Sequence, residues 1–346
     1  MRFYLPLSLI LPAQVVAATQ CDVIIIGAGP AGMSAAKTLL QRDPMCTIKI
    51  LEATEDIGGR VKTMQLGDSR VEMGAEEHYG PKGGNLVYQD LTAAYPGIYK
   101  DAFPGSVIYA MPGKPKPEEG TCDTITYGEN GVSKNCADDL AWEKFIGIWD
   151  WYWKPSSFQK NPQQSIESAL AGSRNFFMDI AGYVDTRGWF LYDSEFGSEW
   201  GTTVDRMGAH DTAVADFEWP LSEGVLFNTK KLGYSEVLKK TWWDDTISTS
   251  TVTLKLNSPV TGIITPPTTG LVEVITNGGL DNEVSYSANQ VIVAVPIGVL
   301  KASIDPGSKE ELGYISFSPE LPEDTKQAIT DIGFDQGLKA VFKFDR

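Results

Sequence analysis

The chain has few of the residues that build metal or nucleophile centres. Its 346 residues include two histidines, His78 and His210, and no His-x-His or Cys-x-x-Cys spacing. Zinc and related sites depend on such spacings, so metal catalysis has little support. No Gly-x-Ser-x-Gly elbow occurs, which argues against the hydrolases that carry their nucleophile on that turn. An Asn-x-Ser/Thr sequon is also missing, so glycosylation gives no information about the compartment.

Positive charge is in deficit as well. Lys and Arg number 29 against 45 Asp and Glu, which gives a formal net charge of −16. A surface this acidic repels phosphate backbones and anionic headgroups, so we expect neither nucleic acid nor a membrane surface as a partner. It would attract cationic small molecules mildly, although solubility alone also explains the composition.

Residues 1–18 have the features of a secretory signal. Arg2 precedes an apolar run over residues 3–11, and the small residues Ala17 and Ala18 follow. This order is typical of a cleavable signal, and the run is too short to span a bilayer. We therefore expect a secreted protein, with an irregular N-terminal tail as the alternative. No later stretch is apolar enough for a transmembrane helix.

Two of the four cysteines flank a predicted hairpin. Cys122 and Cys136 are equidistant from residue 129, which lies in the turn sequence Gly-Glu-Asn-Gly over residues 128–131. A hairpin centred there would bring the two thiols opposite each other. We predict a disulfide between them, with buried free thiols as the alternative.

A βαβ unit is predicted over residues 21–53. The run CDVIII leads into a glycine turn, an Ala/Leu-rich helical stretch stops at Pro44, and CTIKILEA forms a second apolar run. Strands in which apolar and polar residues do not alternate are typical of a parallel sheet that is covered on both faces. From about residue 249 a two-residue alternation begins, and it predicts a β-meander that ends in the buried strand QVIVAVP.

The glycine turn has the spacing of a dinucleotide site. Gly27, Gly29 and Gly32 follow a strand and open a helix. These glycines allow the tight turn, the approach of a pyrophosphate to the backbone, and close packing of helix on strand. The helix N-terminus offers free N–H groups to the phosphates. Glu52 ends the second strand, where a carboxylate can accept both ribose hydroxyls of an adenosine.

The other two cysteines are placed by this unit. Cys21 lies six residues before Gly27, and Cys46 lies six residues before Glu52. In adjacent parallel strands the two would lie side by side at the strand starts. We predict a second disulfide here, again with buried free thiols as the alternative.

A second glycine turn distinguishes an FAD site from an NAD site. Gly58 and Gly59 precede Arg60, which can add a bidentate cation to the pyrophosphate. With it, the segments IIIGAGPAGMSAA, LEATEDIGGRV and VEMGAEEHYG resemble the flavin-containing amine oxidase family, which includes polyamine, monoamine and L-amino-acid oxidases.

Later segments extend this resemblance. They are SPVTGI around Val260, whose backbone meets the adenine in the family, then QVIVAVPIGVLKASI and ISFSPELPEDTKQAITDIGFDQGLKAVFKF. The last two segments are closest in sequence to polyamine oxidases, whereas residues 97–230 match the family poorly. The resemblance implies FAD as cofactor, and its cofactor-binding residues are Gly27, Gly29, Pro30, Ala31, Gly32, Glu52, Ala53, Gly59, Arg60, Gly74, Ala75 and Val260.

The resemblance also implies a fold and its domains. The expected fold is α/β, with a Rossmann-like FAD-binding domain (a parallel sheet with a β-meander) and a discontinuous α+β substrate domain. After the signal, the FAD-binding domain is expected at 19–95 and 231–300, and the substrate domain at 96–230 and 301–346.

Lys339 is the expected catalytic residue. It falls on the lysine that, in the family, holds a water against the flavin N5, in a segment that we predict as a strand. The implied reaction is hydride transfer from the C–H next to an amine nitrogen to flavin. The imine then hydrolyses, and dioxygen reoxidises the flavin and gives hydrogen peroxide. The partners are thus a small-molecule amine and dioxygen.

The chain departs from the family at two places. Glu77 stands where the family has a tryptophan, and His78 and Tyr79 follow it, so these three are candidate substrate contacts. The chain also ends just after the lysine segment, before the family's closing FAD segment. The alternatives are therefore a truncated or degenerate non-catalytic member, and another flavoprotein such as a desaturase or an L-amino-acid oxidase.

Overall fold

The computed structural model describes two compact units. They are Met1–Gly59 with Trp242–Ile332, and Arg60–Thr241 with Gly333–Arg346. The described residues are 20–78, 84–101, 106–108, 124–128, 131–132, 164–165, 168, 201–203, 205–208, 210, 225–227, 232–267, 270–277, 283–308, 313–334 and 339–343. The predicted secretory signal lies outside them and stays a prediction, as do the predicted domain boundaries.

The described helices and strands follow the chain in this order. They are β1 (Gln20–Ile26), α1 (Pro30–Arg42), β2 (Ile48–Leu51), β3 (Thr63–Leu66), β4 (Ser69–Glu72), β5 (Glu77–His78), α2 (Leu86–Ala94), β6 (Tyr99–Asp101), β7 (Ser106–Ile108), β8 (Thr124–Gly128), β9 (Gly131–Val132), β10 (Val225–Phe227), α3 (Tyr234–Leu238) with a π-helical continuation (Lys239–Ile247), β11 (Val252–Lys255), β12 (Val260–Ile264), β13 (Val272–Asn277), β14 (Glu283–Val293), α4 (Ile297–Ile304), a 3₁₀ turn (Pro306–Ser308), β15 (Ser316–Ser318) and α5 (Glu323–Asp331).

The first unit is built on a seven-stranded sheet in the order β11-β2-β1-β14-β13-β12-β15. Strands β11, β2, β1 and β14 are parallel, whereas β12, β13 and β14 form the predicted antiparallel meander. Ile24 and Ile25 are fully buried, as expected for a strand covered on both faces. The α/β fold with a Rossmann-like domain is confirmed.

The helix α1 packs one face against this sheet. Its buried residues, Gly32, Met33, Ala36 and Leu40, recur at the spacing of a single helical stripe. Pro30 stands at the first helical position, where its missing N–H costs no hydrogen bond. The helix ends before Pro44, and Asp43 donates its N–H to the Leu39 carbonyl.

The predicted register of β1 on β2 is confirmed, but the disulfide between Cys21 and Cys46 is wrong. Val23 pairs with Ile48 and Ile26 with Leu51, so Gly27 aligns with Glu52. Cys46 nevertheless has a free, buried thiol. It lies in the turn before β2, where its N–H bonds to the Asp43 carbonyl and the β1–β2 pairing has not yet begun. Burial raises the pKa of this thiol, and such a cysteine is a poor nucleophile.

The second unit contains short antiparallel sheets. Strands β3 and β4 form a hairpin, β10 pairs with β5 and β6, and β8 pairs with β7 and β9. Gly128 pairs with Gly131, which confirms the hairpin predicted there. Cys122 and Cys136 lie outside the described residues, so their disulfide stays a prediction.

Buried polar contacts attach α3 to the β3–β4 hairpin. The Glu72 carboxylate accepts hydrogen bonds from the Tyr234 N–H at 2.8 Å and from the Thr63 hydroxyl at 2.8 Å. The Glu236 carboxylate accepts from the Gly233 N–H at 2.7 Å. The first N–H groups of a helix have no partner within it, so Glu72 and Glu236 supply acceptors at the start of α3.

The C-terminal segment differs from its prediction. Residues 339–343 form no strand in the described structure, because no ladder pairs them. Helix α5, predicted behind Pro322, is confirmed at Glu323–Asp331. Across the parts of the chain that the structure describes, no helix has the length and apolarity needed to cross a membrane.

Candidate dinucleotide site and lysine cluster

The first glycine turn lies at the end of β1, between the two neighbouring strands. The Gly27 N–H donates to the Leu51 carbonyl at 2.8 Å, and the Ala294 N–H donates to the Ile26 carbonyl at 2.9 Å. Gly27 has φ +102°, and a Cβ there would come within 2.6 Å of the Ala294 oxygen. Only glycine satisfies both conditions. A Cβ at Gly32 would overlap the Gly27 carbonyl, so helix and strand pack as closely as the motif predicts.

The N-terminus of α1 opens directly from this turn. Gly29 is the N-cap residue, has extended φ and ψ, and supplies no side-chain cap. Ala31, in the first turn, is exposed. An uncapped helix N-terminus presents N–H groups and the positive end of the helix dipole, and this arrangement binds phosphate.

Glu52, which the motif predicts as the ribose contact, stabilises the glycine turn in the structure. Its side chain is 8% exposed. One carboxylate oxygen, Oε2, accepts from the Ala28 N–H at 2.8 Å, and Oε1 accepts from the N–H and the hydroxyl of Thr54 at 2.9 and 2.8 Å. Each carboxylate oxygen can accept more than one hydrogen bond, so Oε2 keeps capacity for a ribose hydroxyl. The bond to Ala28 was not predicted from the sequence.

The second glycine turn packs against the first through backbone alone. The Gly58 N–H donates to the Ala28 carbonyl at 2.9 Å. Gly59 has φ +55°, and a Cβ there would come within 3.2 Å of the Gly29 Cα. A Cβ at Gly29 would meet nothing nearer than the Gly59 Cα at 3.9 Å, so space remains for a ligand over Gly29. The structure therefore brings together the two turns that the sequence identified separately.

Val260, the predicted adenine contact, begins β12 close to Glu52. The Ser258 N–H donates to the Glu52 carbonyl at 2.8 Å, two residues before β12 begins at Val260. The Val260 side chain is 7% exposed and packs in the core cluster that includes Leu51. The β12–β13 register shifts between Val260 and Gly262, and such a bulge re-aims the backbone locally. Ala53 follows Glu52 and is exposed.

In the second unit, Arg60, Gly74 and Ala75 come together. The Ala75 N–H donates to the Arg60 carbonyl at 3.1 Å, and a Cβ at Gly74 would overlap that same carbonyl. The Arg60 residue is exposed. Gly74 and Ala75 thus hold the backbone of Arg60, a contact that gives a physical reason for the small residues here.

Lys339 joins this group through its ammonium. Its Nζ donates to the Gly74 carbonyl at 3.0 Å and lies 3.2 Å from Oε2 of Glu76. Glu72 is close enough to take part electrostatically. Burial raises the pKa of the Glu72 carboxyl, the hydrogen bonds from Tyr234 and Thr63 lower it, and the charges of Glu76 and Lys339 raise and lower it respectively. The role of Glu76 was not predicted, because residues 76 and 339 are remote in sequence.

The three candidate substrate contacts have different surroundings. His78 is 5% exposed and is packed among tyrosine rings, with centroid distances of 4.9 Å to Tyr99 and 4.8 Å to Tyr234. Its Nε2 lies 3.4 Å from the Tyr99 hydroxyl. Burial lowers the pKa of His78 to about 4, so the imidazole is neutral at pH 7. Glu77 is half-buried in β5, and Tyr79 lies outside the described residues.

Tyr99 and Tyr234 remain protonated at ordinary pH. Burial raises the pKa of Tyr99, and the nearby phenols of Tyr234 and Tyr88 raise it further. Burial and the Glu72 carboxylate raise the pKa of Tyr234. The ring of Tyr88 lies 4.8 Å from that of Tyr99. The cluster is therefore an apolar, uncharged support for β5 and β6.

The first unit has the chemistry that a dinucleotide requires. It offers an uncapped helix N-terminus, a backbone surface free of Cβ atoms, and a fixed carboxylate at the ribose position. These features fit the pyrophosphate and adenosine of FAD. Among the described residues no group of three His, Cys, Asp or Glu is placed to hold a metal ion.

Comparisons with known proteins match most of the chain. A model of the NAD(P)-binding Rossmann-like domain matches residues 25–90, and a model of the flavin containing amine oxidoreductases matches residues 144–346. Polyamine oxidase 2 of Arabidopsis thaliana is 25% identical over 343 residues, which cover 94% of this chain and 59% of that protein.

Other relatives give the same picture. The peroxisomal N(1)-acetyl-spermine/spermidine oxidase of Homo sapiens is 26% identical over 336 residues, 93% of this chain and 61% of that protein. Over 55 residues the chain is 46% identical to the protein anon-37Cs of Drosophila melanogaster. The chain therefore spans about three fifths of the length of the first two relatives.

Proposed function

Because the chain belongs to the family of flavin containing amine oxidoreductases, we propose that it is an FAD-dependent oxidase of polyamine-type amines. FAD is the cofactor that the family and the Rossmann-like domain indicate. The observation that carries the proposal is the pair of glycine turns at the N-terminus of α1, held in place by Glu52. The choice of polyamine-type amines is supported by the polyamine oxidases among the relatives.

The first unit would hold the adenosine diphosphate half of FAD. The N–H groups at the start of α1 would bind the pyrophosphate, and the bare backbone at Gly29 and Gly59 would let it approach closely. Glu52 would accept a ribose hydroxyl while Ala28 and Thr54 fix its carboxylate. Val260 would present backbone groups to the adenine. In the second unit, Arg60, Gly74 and Ala75 are the proposed cofactor contacts.

Lys339 is the proposed catalytic residue of the second unit. When bound, FAD supplies the oxidising chemistry: it accepts a hydride from the carbon next to the amine nitrogen, and dioxygen takes up the electrons as hydrogen peroxide. The amine has to be uncharged before that carbon becomes hydridic. The Lys339 ammonium would hold a water through its remaining N–H. Glu77 and Tyr79 are the proposed substrate contacts, whereas His78 would support them from the buried aromatic cluster.

The experiment is to measure flavin content and amine turnover on the purified chain. Visible absorbance after extensive buffer exchange, with and without prior FAD loading, reports whether the flavin is retained. Anaerobic addition of spermine, spermidine or an L-amino acid then tests for bleaching of the flavin bands, and aerobic assays measure peroxide. We expect bleaching by the polyamines and not by the amino acids.

Three results would contradict the proposal. A chain that stays colourless after FAD loading would show that it does not hold the cofactor. If the chain retains flavin but no polyamine bleaches the flavin bands, FAD remains the assigned cofactor and polyamine oxidation is excluded. Bleaching by L-amino acids alone would replace the polyamines as the substrate class.

A further inference from the structure

The ammonium of Lys339 has two fixed partners on one short segment. The Gly74 carbonyl and the Glu76 carboxylate, two residues apart, lie 3.0 and 3.2 Å from Nζ. The Gly74 position is itself constrained, because a Cβ there would overlap the Arg60 carbonyl. One of the two partners is therefore rigid backbone, and the other is a side chain that can be substituted without changing the backbone.

Two partners restrict where the ammonium can lie. An ammonium carries three N–H groups in tetrahedral arrangement. One of them donates to the Gly74 carbonyl, and the ion pair with Glu76 holds Nζ to one side of that bond, so the directions open to the other N–H groups are limited. A lysine without such partners distributes its ammonium over many rotamers, and ordering the side chain costs conformational entropy. The Lys339 and Glu76 side chains are 34% and 44% exposed, so the pair stays in contact with solvent and its main effect is on geometry rather than on stability.

The charges around the lysine favour the same arrangement. Glu72, buried beside the start of α3, also feels the Lys339 charge. The Lys339 cation therefore interacts with two acidic residues, Glu72 and Glu76. Removing the Glu76 charge would leave Glu72 as the other acidic residue near the ammonium, and Lys339 would lose its ion-pair partner.

We propose that Glu76 is a positioning residue, whose ion pair with Lys339, together with the hydrogen bond to the Gly74 carbonyl, orients the ammonium so that a remaining N–H is presented to the reacting site. This inference rests on the proposed function for the role of Lys339 and concerns a residue to which that function assigns nothing. Glu76 is not among the proposed substrate or cofactor contacts.

The first test uses the chain before any turnover. A lysine held by a carbonyl and a carboxylate must leave both before it reacts with an acylating reagent. We expect the E76Q variant to acylate at Lys339 roughly three- to five-fold faster than the wild type, measured by mass spectrometry relative to the exposed Lys255. The matched control is E236Q, which removes an ion pair to Arg70 of the same 3.2 Å length and with similar exposures of 34% and 47%. The proposal would be overturned if the ratio of acylation at Lys339 to that at Lys255 were unchanged in E76Q, or if it rose equally in E236Q.

The second test is a double-mutant cycle on flavin reduction. We expect E76Q to slow bleaching by a polyamine roughly three- to five-fold when Lys339 is present and to have no effect in a K339M background. An equal slowing in both backgrounds would mean that Glu76 acts without Lys339, which overturns the inference. If no amine bleaches the wild-type flavin, the proposed function fails, and the acylation ratio still decides whether Glu76 holds Lys339.

Discussion

The imidazole of His78 is surrounded by tyrosine rings, which makes stability depend on pH. Its pKa is lowered from an ordinary value of 6.5 to about 4 by burial, so the unfolded chain binds a proton over a range where the folded chain does not. The stabilisation is complete above pH 6.5 and is lost as the pH falls towards 4. We expect the His78 contribution to the free energy of unfolding to fall by about 2 kcal/mol between pH 7 and pH 5.

The measurement is urea unfolding at these two pH values for the wild type and for H78Q, which keeps a polar group but does not titrate. Each protein gives a change in the free energy of unfolding between pH 7 and pH 5. The difference between these two changes isolates the contribution of His78 from those of the other titrating groups. Equal changes would show that His78 is protonated without cost in the folded chain, and the packing described for it would then be wrong.

Single residues were predictable only where a local pattern determines them. The spacing from Gly32 placed Glu52 at the end of β2, and the structure has it there. Its hydrogen bond to the Ala28 N–H depends on the exact approach of two turns, which no local pattern encodes. His78 was a candidate substrate contact because it follows Glu77. Its burial comes from Tyr99 and Tyr234, which are brought to it by other elements.

At the scale of elements, the contact between the two glycine turns can be tested by adding one methyl group. We expect G59A to weaken retention of FAD, because the new Cβ would come within 3.2 Å of the Gly29 Cα and push the turns apart. The matched control is G270A. Gly270 has a similar φ of +68° and open space around its Cβ position, so it shares the backbone strain and lacks the close contact.

The measurement is the dissociation constant for FAD from titration of flavin fluorescence, with thermal unfolding of both variants as a check on folding. Roughly ten-fold weaker binding in G59A than in G270A corresponds to about 1.4 kcal/mol. Equal affinities would mean that strain alone accounts for any loss, and that the contact between the turns does not shape the cofactor site.

Elements with a strong pattern of apolar residues were predictable, and those that depend on partners distant in the sequence were not. The unit β1–α1–β2 and the meander β12–β13–β14 follow from apolar runs and alternation, and the register of β1 on β2 follows from the motif spacing. The segment GLKAVFKF was predicted as a strand, but a strand needs a neighbour with which to pair, and none pairs with its described residues, 339–343. The Cys21–Cys46 disulfide failed for a similar reason: alignment along the chain does not determine where the strand pairing begins.

At the scale of the whole molecule, the net charge of −16 should affect how substrates arrive. A field of one sign raises the association rate of oppositely charged ligands, and salt screens it. We expect kcat/KM for spermine to fall roughly two- to five-fold as the salt concentration rises from about 20 to about 200 mM.

The dependence should grow with the charge of the amine, so spermidine and a monoamine provide the graded control. Steady-state peroxide assays at several salt concentrations measure it. If kcat/KM depended equally on salt for all three amines, salt would be acting on the protein itself rather than on its encounter with the substrate.

The position of β1 in the sheet also has a consequence for biosynthesis. Val23 pairs with Ile48 on one side and with Gln290 on the other, so the two neighbours of the same strand lie far apart in the chain. A ribosome adds about 5–20 residues per second, so β14 emerges on the order of ten seconds or more after β2. During that interval the apolar edge of β1 has no native partner and can pair with other chains. Until β14 has been synthesised, one edge of β1 therefore exposes backbone hydrogen-bonding groups that the finished sheet covers.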